Sequence, residues 1–146
     1  MRIVVDTSVL IAAMMKSSRV RQTYLAFFAA EWLIPHVARA EAERHLPRIA
    51  AATNRSVDEA RRALGILLDR AVLVEVSAGD HEYALASELI GRRDPSDVEF
   101  VAACLKTGAL GIWSLDDDFD GIEGVPRFTT AGVAKLLELA GGTSDE

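Results

Sequence analysis

Two apolar runs, one near each end of the chain, pass directly into carboxylates, and this constrains the fold more than any bulk property. Near the amino terminus, Ile3-Val4-Val5 reads as a short buried strand because its residues are apolar and β-branched. Asp6-Thr7-Ser8 follows at once, and the apolar run Val9-Leu10-Ile11 then opens a helix. Late in the chain, Gly111-Ile112-Trp113-Ser114-Leu115-Asp116-Asp117-Asp118 repeats the strand-to-acid junction. In an open α/β sheet, ligands bind outside the carboxyl ends of the strands, and a parallel sheet brings Asp6 and Asp116 to that one edge. Taken alone, Asp6 is better explained as a helix N-cap. The second junction is what raises the functional reading.

Between these junctions the pattern alternates. A short apolar helix is predicted from Val9 to Met15, a break over Lys16-Ser17-Ser18-Arg19, and a helix from Val20 to Ala30. Trp32-Leu33-Ile34 reads as a strand, since Pro35 pushes its predecessor away from helix. His36 to Ala51 reads as one helix that Pro47 bends or ends. Ser56 and Glu59 have the spacing of a capping box, opening a helix to about Arg70 with Ala60, Leu64, Leu67 and Leu68 on its apolar face. A third strand is predicted over Ala71 to Val76, then a helix from Gly79-Asp80 to Ile90, with His81 at its start. After the loop Gly91 to Pro95, a helix runs from Ser96 to Lys106, with Gly108 as its C-cap. Beyond the acidic turn come a Gly-rich loop to Pro126, a brief strand at Arg127-Phe128, and a helix from Thr129 or Thr130 to about Ala140.

Short apolar strands alternating with helices predict an α/β fold, three layers α/β/α around a central, short-stranded parallel sheet. The length of 146 residues fits one domain over residues 1–140, followed by a flexible tail over 141–146.

The net charge of -6 argues against a broad basic face for nucleic acid, yet an acidic cluster built to hold cations contributes to such a charge. The lone cysteine, Cys104, excludes an internal disulfide, fits a reducing cytoplasm, and lies within an apolar helical pattern that makes it core. No apolar run is long enough for a bilayer and no signal-peptide layout is present, so a cytoplasmic protein without a membrane partner is expected.

Two more acids border buried faces. In Asp94-Pro95-Ser96-Asp97, Pro95 suits the first helical position and Asp94 the cap, leaving Asp97 in the first turn beside the stripe of Val101 and Cys104. The helix dipole explains Asp97 as well as chemistry does. Glu99 lies on another face. In the helix after Pro35, Glu43 shares a face with Arg39, whereas Glu41 lies above Val37 and beside Ala38, which favours Glu41 as the inward acid. Carboxylates converging at one edge repel unless a cation neutralises them, and hard oxygen ligands without His or Cys select magnesium or manganese.

Four pieces, in order, carry a resemblance. They are Ile3-Val4-Val5-Asp6-Thr7-Ser8-Val9-Leu10, Pro35-His36-Val37-Ala38-Arg39-Ala40-Glu41, Asp94-Pro95-Ser96-Asp97-Val98-Glu99-Phe100-Val101-Ala102-Ala103 and Ile112-Trp113-Ser114-Leu115-Asp116-Asp117-Asp118-Phe119. Together they resemble PIN-domain ribonucleases, a family that includes toxins of VapBC-type toxin–antitoxin pairs. The resemblance implies a metal-dependent endoribonuclease cleaving RNA by metal-activated water, with Mg2+ or Mn2+ as cofactor. Asp6, Glu41, Asp97 and Asp116 match its catalytic acids. Asp6, Asp97, Asp116 and Asp118 would hold metal, while Thr7, Ser8 and Ser114 match hydroxyls that orient the acids or water. Ser114 stands where the family more often has Thr. Arg19, Arg39, Arg92 and Arg93 are candidate phosphate contacts, each equally a solvated surface residue. His36 and His45 read as surface residues without a general-base role.

An antitoxin protein and a homodimer are the partners implied. Tyr24, Phe27 and Phe28 could serve either, or fill the core. A phosphoacceptor receiver needs paired acids after the first strand and a Lys after a late strand, and neither is present. A dehalogenase-type phosphatase needs an acid where Ser8 stands. The stronger alternative is a catalytically weak PIN-fold module that binds RNA or protein.

Overall fold

The apolar run at the amino terminus becomes β1 (Arg2–Val5), in which Ile3, Val4 and Val5 are wholly enclosed. The computed structural model describes residues 1–15, 18–26, 30–91 and 97–141. Within them the chain continues through α1 (Thr7–Met14), α2 (Arg19–Ala26), β2 (Glu31–Pro35), α3 (His36–Arg44), α4 (Leu46–Ala52), α5 (Val57–Asp69) and β3 (Ala71–Val74). The second half adds α6 (His81–Ile90), α7 (Val98–Thr107), β4 (Ile112–Trp113), a 3-10 turn (Asp117–Phe119), β5 (Arg127–Phe128) and α8 (Thr130–Gly141).

Every strand pairing is parallel, in the order β3-β2-β1-β4-β5, and helices flank the sheet to give the expected three-layer α/β/α architecture. The order puts β1 at the centre, so both of its faces are covered and, after the exposed Arg2, its residues Ile3, Val4 and Val5 are all apolar. It also makes β1 and β4 neighbours, with Val5 opposite Trp113. The acids that follow these two strands therefore leave the same edge of the sheet.

Three aromatic side chains fill the space beside the central strands. Trp32 and Trp113 lie 5.2 Å apart between ring centres, and Tyr24 stacks on Trp32 at 5.4 Å. Their polar atoms are all used: Tyr24 donates to the Leu67 carbonyl at 2.6 Å, Trp32 to the Tyr24 carbonyl at 3.0 Å, and Trp113 to Thr130 Oγ1 at 3.2 Å. Tyr24 is thus core and offers no partner surface. Cys104 is core as well, and burial pushes its thiol up to about 11, which favours the protonated thiol at neutral pH.

Sequence signal and structure coincide where the chemistry is local. Ser56 and Glu59 form the capping box, with Glu59 N–H donating to Ser56 Oγ at 3.0 Å and Ser56 N–H to Glu59 Oε1 at 2.9 Å. Gly108 ends α7 at φ +68°, the left-handed conformation that a C-cap glycine supplies. Where the boundaries moved, tertiary context moved them. His36 to Ala51 is two helices broken at His45, because Pro47 sits in the first turn of α4, where its missing N–H leaves no bond unmade. β3 stops at Val74, and Gly141 belongs to α8 rather than to a tail. Phe27, Phe28, Arg92, Arg93, the capping stretch 94–96 and residues 142–146 lie outside the described residues. Among the described residues no helix is long and apolar enough to cross a membrane.

Gly111 sets how closely β4 approaches β5. A Cβ there would collide with the Pro126 carbonyl oxygen and come within 2.8 Å of the Phe128 ring. Gly111→Ala is expected to cost about 1–3 kcal/mol in a denaturant titration, the scale of overpacking against backbone. A change of under half a kcal/mol would show that the two strands are not in register-critical contact.

Candidate functional site

The sequence Asp6-Thr7-Ser8 does three separate jobs within one turn of chain. Asp6 leaves β1, its N–H donating to the Trp113 carbonyl at 3.0 Å, and stands at the N-cap position of α1. Its side chain makes no capping hydrogen bond. Instead, Oδ2 accepts from Ser8 Oγ at 2.7 Å and from Ser114 Oγ at 2.8 Å. Each serine accepts in turn from the loop after β4: Ser8 Oγ from Leu115 N–H at 3.1 Å, and Ser114 Oγ from Asp116 N–H at 3.0 Å. The two hydroxyls therefore lace the first acid to the backbone of the second acidic segment. Thr7 Oγ1 points elsewhere and donates to Glu41 Oε1 at 2.6 Å.

Asp6 is only 5% exposed. Burial raises its carboxyl above the usual carboxylate range, and the hydroxyls of Ser8 and Ser114, with the neighbouring N–H groups of Thr7 and Ser8, offset part of that rise. A buried, anion-oriented carboxylate of this kind is most comfortable beside a positive charge.

The other acids stand as follows. Glu41 is half-buried on α3 and held by Thr7, while Glu43 is exposed and paired with Arg39 at 3.2 Å, the surface bridge its spacing suggested. Arg39 and Arg19 are both exposed, Arg39 beside Glu43 and Arg19 at the head of α2. Asp97 precedes α7 at the N-cap position without a capping bond, and its Oδ2 is shut off from solvent. Asp116, Asp117 and Asp118 are all exposed on the turn after β4. The hydroxyls and the first acid are thus joined directly, and Glu41 is joined through Thr7. Among the described residues, no three His, Cys, Asp or Glu side chains form a group that could hold a metal ion. By type, however, the donors are carboxylate oxygens alone, which suits a hard divalent cation.

One residue near the site was missed in the sequence. Arg127, read only as part of a brief strand, forks onto Asp120 through Nε at 2.8 Å and Nη2 at 3.1 Å, and its Nη1 donates to the Ser114 carbonyl at 3.3 Å. The available signal was a lone Arg in an apolar strand seven residues after an Asp, across a Gly-rich loop.

The family model described as the PIN domain matches residues 4–138. The chain belongs to the PIN-domain family. PIN domains are generally nucleases, so hydrolysis of phosphodiester bonds is the class of chemistry the family brings. No curated protein matches the sequence. Among solved structures, this PIN domain is similar to a chain in the crystal structure of VapBC2 from Rickettsia felis bound to a DNA fragment from their promoter. The likeness has a TM-score of 0.67 at 13% identity and covers 88% of this chain and 98% of that one. At that identity it speaks to the fold.

Proposed function

We propose that this PIN-domain protein is a metal-dependent endoribonuclease that cleaves RNA phosphodiesters by activated water, acting as the toxin of a type II toxin–antitoxin pair. The observation that carries the reading is the Asp6 carboxylate, buried at the carboxyl edge of the parallel sheet and laced by Ser8 and Ser114 to the segment bearing Asp116. Asp6, Asp97 and Asp116 would hold the ion, Mg2+ or Mn2+, with Asp118 as a further ligand. The bound ion would supply Lewis-acid polarisation of the phosphodiester and a more acidic attacking water. Ser8 and Ser114 fix the Asp6 carboxylate in one rotamer, and Thr7 fixes Glu41, which positions the water that attacks. Arg19, Arg39, Arg92 and Arg93 are the candidates for phosphate contact. A partner antitoxin is supported by the VapBC2 complex that shares the fold. We place the protein in the cytoplasm, as a homodimer.

The test is cleavage of single-stranded RNA in magnesium or manganese and its loss in EDTA. Glu41→Gln should lower the rate at least tenfold, while Glu43→Gln should leave it within twofold, since Glu43 only pairs with Arg39. Cleavage that persists in EDTA would overturn the assignment.

One observation favours a second reading, the weakly catalytic module that binds RNA or protein: the acids of the described residues do not close into a metal-holding group. Calorimetry with Mn2+ on wild type and Asp97→Asn separates the two. Heat of binding that Asp97→Asn removes supports the nuclease, and no binding by wild type supports the module.

A further inference from the structure

We infer that Arg127 is the positioning residue of the acidic turn, clamping both of its ends so that the carboxylates between them are presented in one arrangement. The inference rests on the metal-site reading above. Ser114 opens the turn and Asp120 closes it, with Asp116, Asp117 and Asp118 exposed between them. Arg127 reaches both ends at once, through the Nη1 contact to the Ser114 carbonyl and the two-pronged contact to Asp120. Only a planar guanidinium has donors in that spread. Its side chain is 16% exposed although its strand lies at the sheet edge, so its stem and head are largely enclosed. Hydrogen bonding to Asp120 first, and then the charges of Asp120, Asp117 and Asp116, hold the guanidinium firmly protonated.

Apolar packing fixes only one point of this turn. Phe119 is buried edge-on against Phe100, 5.9 Å between ring centres. Three neighbouring carboxylates repel one another, and Phe119 does nothing to counter that. Arg127 does, and it also holds the carbonyl of the same Ser114 whose hydroxyl orients Asp6. A clamp at this point therefore couples the turn to the buried acid.

A plain counter-charge would behave differently, and the sign of one measurement separates the two roles. A nearby cation opposes binding of a divalent ion, so removing a counter-charge strengthens that binding. Removing a clamp weakens it, because the ligands must be ordered at the moment of binding. A merely stabilising ion pair would leave the affinity of the folded protein unchanged. The experiment is calorimetric titration of the full chain with Mn2+ for wild type, Arg127→Gln and Arg127→Lys, with a thermal melt of each to establish folding. Arg127→Gln should weaken binding by about tenfold or more, as loss of a residue that orients metal ligands does. Arg127→Lys should also bind more weakly, since one ammonium keeps the charge and cannot fork to three acceptors. Tighter or equal binding by Arg127→Gln, or wild-type affinity in Arg127→Lys, overturns the clamp. If Arg127→Gln does not fold, Arg127→Lys decides alone. If wild type itself binds no Mn2+, the metal-site reading falls and takes the clamp with it, an outcome distinct from wild-type binding that the variants leave untouched.

Discussion

Asp6→Asn should melt at a higher temperature than wild type in metal-free buffer, at a lower one in saturating manganese, and should cleave no RNA. The reversal follows from what surrounds the carboxylate. Burial lifts its proton affinity in the folded chain above the unfolded value of 3.8. The folded state thus holds the proton more tightly, and ionising Asp6 costs stability. That cost is absent below the unfolded value, grows as pH rises through the window up to the folded value, and is fully present above it. An amide has no such cost. Asn can also keep the existing bonds, its Oδ1 accepting from Ser8 and Ser114 as Asp6 Oδ2 does. Its NH2 then takes the place of the second carboxylate oxygen and presents donors where a cation needs an acceptor. A ligand at a hundred times its Kd stabilises the native state by about 2.7 kcal/mol, and wild type alone collects it. Differential scanning calorimetry with and without Mn2+, repeated below pH 4, checks every limb. An Asp6→Asn variant that melts below wild type without metal would show that the Asp6 charge is already compensated.

Trp113→Ala should be the most damaging single truncation near the site. Trp113 is fully enclosed, packed against Trp32 and Tyr24, and it supplies half of a strand only two residues long. Deleting an indole from such a position costs about 3–5 kcal/mol, which lowers the melting temperature by roughly 10–20 °C in a domain of this size. Trp113→Phe retains most of the packing and loses the bond to Thr130, so a loss of about 1–2 kcal/mol is expected. Leu139→Ala, at a position 70% exposed on α8, is the control and should stay within about half a kcal/mol. Because Ser114 follows Trp113 directly, Trp113→Ala should also loosen the Asp6 network, seen as a further loss of cleavage at temperatures where the variant remains folded. Equal melting of Trp113→Ala and Leu139→Ala would remove Trp113 from the core.

What could be read from the sequence was what local chemistry decides. β1 was legible because three β-branched residues in a row suit a covered strand, and Ser56 because its partner Glu59 lies three residues on. Glu41 was favoured over Glu43, though not separated from it, because a helix has faces and Glu43 had Arg39 one turn earlier. What was hidden depends on pairings distant in the chain. That Ser8 receives the N–H of Leu115 follows only from β4 lying beside β1, which no spacing announces. The break at His45 was half visible: Pro47 was read as a helix breaker, but its place at the start of a new helix required the turn before it. Arg127 escaped for the same reason as the Ser8–Leu115 contact, since its acceptors are brought to it by a loop and a strand edge.

The pairing of the first strand with the fourth has a consequence for synthesis. Ser114 reaches Asp6 across 108 positions of chain, and β5 and Arg127 come later still. Contacts this remote form late in folding, after the loop between them has closed. A ribosome-bound chain that has yet to release residue 112 has the first acid and Ser8, but neither Ser114, the second hydroxyl that orients it, nor the turn beside it. The carboxylate arrangement therefore requires the chain through Arg127 to be present and folded before it can exist.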